Sequence, residues 1–170
     1  MTTSAAKTLS DPRALTPELV WRIEDLNTRY ARALDDVAYD DWPEFFTDPC
    51  LYKIWPRENM EDGLGGALLF FDSKAMLRDR VLCTKDVCIF NPHCTRHFIG
   101  RSSIDVRPGY TWSVRSNVSV MQTDAEGRSR LFAVGEYRDL VIEEKGLLKF
   151  REKIVVLDSY TLESHLAEPI

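Results

Sequence analysis

A chain of 170 residues, 44% of them hydrophobic, is long enough to bury the core of one domain and too apolar to remain disordered. Its net charge is −5 and its positive residues are scattered, which argues against a nucleic-acid surface. No apolar run approaches the roughly 20 residues needed to span a bilayer, and the polar start, residues 1–10, lacks the apolar core of a secretion signal.

Residues 1–15 therefore read as a flexible tail and 16–170 as a single domain. Thr16-Pro17-Glu18 supplies a hydroxyl cap, a first-turn proline and an acid at the positive end of a helix. Leu19, Ile23, Leu26, Tyr30 and Leu34 then recur at spacings of three and four, which predicts one amphipathic helix ending near Asp35-Asp36. A second, short helix is predicted over 40–46, carrying Trp42, Phe45 and Phe46 and stopped by Thr47-Asp48-Pro49. A strand over 50–55 and a glycine-bearing loop over 56–66 follow. Asp72-Ser73 caps a third helix with Ala75, Met76, Leu77, Val81 and Leu82.

Beyond Gly100 the period becomes two. Trp112, Val114, Val118 and Val120 alternate with Ser113, Arg115, Asn117 and Ser119. A turn at 124–127 and strands over 131–142 and 147–158, joined by Glu144-Lys145-Gly146, complete an antiparallel meander. The predicted class is α+β: a cone-shaped, curved, mostly antiparallel sheet with N-terminal helices packed on one face. Such a cone either holds a pocket or is filled with side chains.

Residues 88–97, Cys-Ile-Phe-Asn-Pro-His-Cys-Thr-Arg-His, hold two of the three histidines and two of the four cysteines. Cys94-Thr-Arg-His97 has the spacing of half a Rieske site, but no cysteine in the chain is followed two positions later by histidine. His93 and His97 on one strand stand about 13 Å apart, too far for one ion, so no metal is expected here. The four cysteines read as reduced cytosolic thiols. Gly63-Leu-Gly65-Gly66 lacks the lysine of a phosphate cradle.

Tyr30, Asp35 and His97 suit cofactor-free acid–base chemistry if they converge in a pocket, with Asp35 fixing the imidazole tautomer. The plainer reading is an internal His97–Asp35 pair, with Arg96 facing a partner or solvent. Trp21 and Trp55 are candidate interface anchors. Phe150-Arg151-Glu152-Lys153 alternates in sign and reads as a solvated face or a charged subunit contact.

Taken in order, these segments resemble one family. They are Tyr30…Asp35…Trp42-Pro-Glu-Phe-Phe46-Thr-Asp48…Tyr52, Glu61-Asp-Gly-Leu64, Asp79-Arg80-Val81, Arg96-His97…Gly100, Gly135-Glu-Tyr137-Arg-Asp139, Phe150-Arg151-Glu152-Lys153 and Val155-Val156-Leu157-Asp158. The set resembles the small (β) subunit of aromatic-ring-hydroxylating Rieske non-haem iron oxygenases. The 59–64 and 79–80 segments are most like the salicylate hydroxylase and terephthalate dioxygenase type. The resemblance implies the cone fold of nuclear transport factor 2 and scytalone dehydratase, and a cytoplasmic, non-catalytic structural subunit with no cofactor of its own. It also implies a trimer of this chain under three large (α) subunits, an α3β3 hexamer. The large subunit would carry the Rieske 2Fe–2S cluster, the mononuclear Fe(II) and the substrate pocket, with electrons from NAD(P)H through a reductase and usually a ferredoxin. Trp21, Trp55, Arg96, Arg151 and Glu152 are the expected subunit contacts. The rival reading is a dehydratase or isomerase of the scytalone dehydratase type using Tyr30, Asp35 and His97; a lone ligand-binding cone is the third.

Overall fold

The computed structural model describes residues 15–159, 162, 166 and 168–170; the expected tail, apart from Leu15, lies outside these residues. Helix α1 spans Pro17–Asp35, with Thr16 Oγ1 accepting the Leu19 N–H at 3.1 Å, and it buries Leu19, Ile23, Leu26, Tyr30 and Leu34 as the spacing predicts. The expected second helix is one 3₁₀ turn, Trp42–Phe45. It is shorter than predicted because Phe46 is already extended and pairs with Phe150, so that strand β1 covers Phe46–Pro56. The ladder is irregular between Phe46 and Leu51, where Pro49 has no N–H to offer.

The predicted loop contains a short helix α2, Arg57–Glu61. An edge strand β2, Leu69–Phe71, leads to α3, Lys74–Leu82, whose cap is Ser73. A wider π turn, Cys83–Val87, follows. Strands β3 (His93–Ile99), β4 (Ser103–Arg107), β5 (Thr111–Asp124), β6 (Ser129–Glu144) and β7 (Leu147–Leu157) build the rest.

The sheet order is β2-β1-β7-β6-β5-β3, with β4 also on β5. All pairs are antiparallel except β1 with β7. The long β5 receives β3 along one half and β4 along the other. Irregularities at Val120/Met121 and Leu140/Val141 bend the long strands, which suits a curved sheet. Inside lie Trp112, Val114, Val118, Val120, Tyr137, Val141, Phe150 and Val155, packed with α1. Tyr30 is central to this core, edge-on to Phe45, Phe46, Tyr137 and Phe150 with centroids 5.5 to 6.2 Å away. Among the described residues no helix is long and apolar enough to cross a membrane.

Candidate functional site

The α1 C-terminus and strand β3 bring Asp35 and His97 together inside the cone. Asp35 accepts the His97 backbone N–H at 3.1 Å and lies 2.6 Å from His97 Nδ1; the two side chains are 7% and 1% exposed. Nδ1 is thereby the protonated nitrogen. Nε2 is buried and has no hydrogen-bond partner among the described residues.

Among the described residues, the cavity at His97 is too small for a substrate. The segment 168–170 occupies the cone, with the Tyr30 and Tyr52 hydroxyls donating to the Ile170 carbonyl at 2.8 and 3.0 Å. The Ile170 N–H donates back to the Tyr52 oxygen at 2.9 Å. Tyr39 donates to Glu168 at 2.5 Å, and His93 Nε2 lies 3.5 Å from the same carboxylate. The remaining cavity, lined by His93, His97, Phe132, Glu168 and Ile170 among others, measures about 10 Å³, which is room for one water. Burial, helped by Tyr52 and Tyr137, raises the Tyr30 phenol well above its ordinary pKa, so it stays a neutral donor to Ile170. Thus Asp35 and His97 form a pair, while the third residue of the acid–base reading is committed to the 168–170 segment.

The second departure concerns charge. The 150–153 run reads from sequence as an outward-facing strip, but Lys153 is fully buried, 2.9 Å from the buried Asp139 carboxylate. Its ammonium stands 3.6, 4.2 and 4.4 Å from the ring centroids of Tyr137, Phe150 and Tyr30. Leu140 pairs with Glu152 and Val141 with Phe150, so Arg151 is the extra residue of a bulge. That bulge turns both Phe150 and Lys153 inward and leaves Arg151 exposed and Glu152 half-buried.

The opposite face of the sheet is open to a partner beside the short helix α2, whose Met60 and Arg57 reach Arg138 and Glu136. Glu136 is at its centre: it accepts from Arg115 at 2.9 Å and from Arg138, with Arg57 at 4.0 Å. Burial alone would raise the Glu136 carboxyl; the bonds from Arg115 and Arg138 outweigh it and hold the carboxyl below its usual range. Around this network lie exposed Phe98, Leu131 and Val134, and Trp55 with the Lys53 ammonium 3.0 Å over its ring. Arg96 also faces outward, 3.8 Å from Asp35. Trp21, by contrast, is 66% exposed on the solvent side of α1, so it cannot share one contact surface with Trp55. Cys94 and His97 point to opposite faces of β3, and the half-Rieske spacing therefore does not converge on one ion. Sequence reasoning missed the Arg115–Glu136–Arg138 network. Its signal was the alternation in Glu136-Tyr137-Arg138-Asp139, two charges outward and two side chains inward.

The family model described as "Ring hydroxylating beta subunit" matches residues 29–164. The small subunit of anthranilate 1,2-dioxygenase from Burkholderia cepacia is 33% identical over 85% of this chain and 90% of that one. Subunit beta 1 of the terminal oxygenase component of terephthalate 1,2-dioxygenase from Comamonas is 32% identical over 88% and 97%. A solved structure assigned as the beta subunit of an aromatic-ring-hydroxylating dioxygenase from Novosphingobium aromaticivorans superposes with a TM-score of 0.80, at 33% identity, covering 88% of this chain and 95% of that one. With the cone fold, these matches establish that the chain belongs to the family of ring-hydroxylating dioxygenase beta subunits.

Proposed function

We propose that this beta subunit is a structural part of an oxygenase acting on an aromatic acid and carries no active site itself. The observation that carries the reading is the contrast between its two surfaces. The cone interior is filled by the 168–170 segment, whereas the outer sheet face presents an ordered charge network and apolar side chains to a partner. Both relatives are named for dioxygenases of aromatic carboxylates, anthranilate and terephthalate, which supports an acid as substrate. In this reading three copies form a base for three large subunits in the cytoplasm. The large subunits hold the Rieske cluster and the mononuclear iron, and NAD(P)H supplies electrons through a reductase and ferredoxin. This chain fixes the large subunits in register through an obligate interface, of the order of 2,000 Å² or more.

Co-expression with the large subunit tests the reading. Reversing charge at Arg151 and Glu152 together, and separately replacing Phe98 and Leu131 with Glu, is expected to dissociate the hexamer while the subunit stays folded. These side chains are exposed or half-buried, and such surface changes shift stability by only about 0.5 kcal/mol. An intact hexamer in both variants refutes the outer face as the interface.

A further inference from the structure

Two thiols that take no part in either surface meet at the end of α3. The π turn Cys83–Val87 is closed by the Cys88 N–H donating to the Cys83 carbonyl at 2.8 Å. That extra-wide turn sets the Cys83 and Cys88 sulfurs 3.5 Å apart. Both residues are half-buried, so a small oxidant reaches them; Cys50 is buried in the core and Cys94 stands apart on β3. A disulfide requires a sulfur separation of about 2.0 Å, and the turn is a surface element whose neighbours Val87 and Ile89 are 70% and 98% exposed. Closing the gap therefore moves a turn whose one buried side chain is Thr84, at the margin of the core.

We propose that Cys83 and Cys88 form a redox-active dithiol that a hydroperoxide converts reversibly to a disulfide. The sulfur of one cysteine, as thiolate, attacks a peroxide oxygen; the O–O bond breaks, giving a sulfenic acid and, after protonation, one water. The second sulfur then attacks the sulfenic sulfur; the S–O bond breaks and the hydroxyl leaves as a second water with the thiol proton. Two thiols lose two electrons and two protons, and hydrogen peroxide is reduced to two waters. A small thiol reductant reverses the change. The Cys83 contact, with burial second, holds the Cys88 thiol above its ordinary pKa, so Cys88 rests as a thiol at neutral pH and reacts faster as pH rises. Oxidation would pin the start of the exposed loop that bears Ile89 and leads to His93.

The full chain, reduced and freed of reductant, is treated with stoichiometric hydrogen peroxide. Its thiols are then counted under denaturing conditions and its tryptic peptides weighed. The expected result is a fall from four free thiols to two, with the peptide 81–85 joined to 86–96 by one disulfide and dithiothreitol restoring all four. Because 86–96 also holds Cys94, Cys94→Ser must keep the link and Cys83→Ser must abolish it. Persistence of all thiols, a link through Cys94 or between chains, or direct passage to sulfinic acid overturns the proposal.

Discussion

Lys153 Nζ lies 2.9 Å from Asp139 Oδ2, and neither side chain has any exposed surface. An ammonium and a carboxylate, held by adjacent strands β7 and β6, thus sit among aromatic rings in the middle of the core. Each is tolerated only because of the other, since a lone charge in such a place has neither water nor a counter-charge. Lys153→Met is therefore expected to lower unfolding stability by about 3–5 kcal/mol, as it strands a carboxylate. Adding Asp139→Leu to it should recover most of that loss in denaturant melts. A double variant as unstable as the single one would mean that the rings and the Asn27 carbonyl oxygen, 3.4 Å from Nζ, matter more than the pair.

The same pair gives stability a pH signature. Burial raises the Asp139 carboxyl from 3.8 to about 6, with Lys153 pulling the other way. Between these values the folded protein keeps a proton that the unfolded chain has released. The stabilisation linked to that proton is fully present below pH 3.8 and is lost as pH rises through about 6. Asp139→Asn removes this titration. Over that interval the wild type should lose stability relative to Asp139→Asn by an amount of the order of 3 kcal/mol. Parallel stability–pH curves for the two proteins would refute this assignment.

Much of this was legible in the sequence, and the exceptions have physical causes. The α1 stripe, the Ser73 cap and the two long hairpins follow from spacing and turn residues, because local chemistry decides them. The parallel β1–β7 pairing is non-local, so no period announces it. The inward turn of Lys153 depends on one bulged residue, Arg151, and a bulge resets the alternation that strand reading relies on. The Asp35–His97 contact was legible as a pair; the filling of the cone by 168–170 was not, because Glu-Pro-Ile has no periodicity to read.

His97 tests whether the pair is structural or chemical. His97→Ala removes a buried ring but leaves the backbone N–H that Asp35 also accepts, so a stability loss of about 2–4 kcal/mol is expected. Asp35→Ala should cost more, since it leaves that N–H and the ring nitrogen without an acceptor. Assembled complex carrying His97→Ala should turn over like the wild type per iron. Complete loss of turnover with assembly and iron content unchanged would instead make His97 part of the chemistry.

The two tyrosines that hold the 168–170 segment should differ. Tyr52 both donates to the Ile170 carbonyl and accepts its N–H, whereas Tyr30 only shares the carbonyl. Tyr52→Phe leaves a buried N–H unsatisfied and is expected to cost about 2 kcal/mol, with faster hydrogen exchange at the Ile170 amide. Tyr30→Phe should cost about 1 kcal/mol with little change in that exchange rate. Equal effects on exchange would place the anchor of this segment elsewhere, at Tyr39 and Glu168.

Gly135 lies at the end of the β6–β7 ladder, where it pairs with Leu157. A methyl group added there would stand 2.1 Å from the Val156 carbonyl oxygen and 3.0 Å from the Leu157 Cα. Both obstacles are backbone, so no rotamer change relieves them and the strands must part. Elsewhere a glycine-to-alanine change in an unstrained strand gains stability by restricting the unfolded chain; here the overlap reverses the sign. Gly135→Ala is expected to destabilise by about 1–3 kcal/mol. Because Gly135 adjoins Glu136, the strain reaches the outer face, and assembly with the large subunit should weaken along with the melt. Gly127→Ala is the control: its φ of 81° strains an alanine, but no atom stands within 4 Å of the added carbon. It should cost about 1 kcal/mol and leave assembly intact. If Gly135→Ala proves neutral, the β6–β7 spacing is looser than the structure has it, and the geometry of the Glu136 network must be redrawn with it.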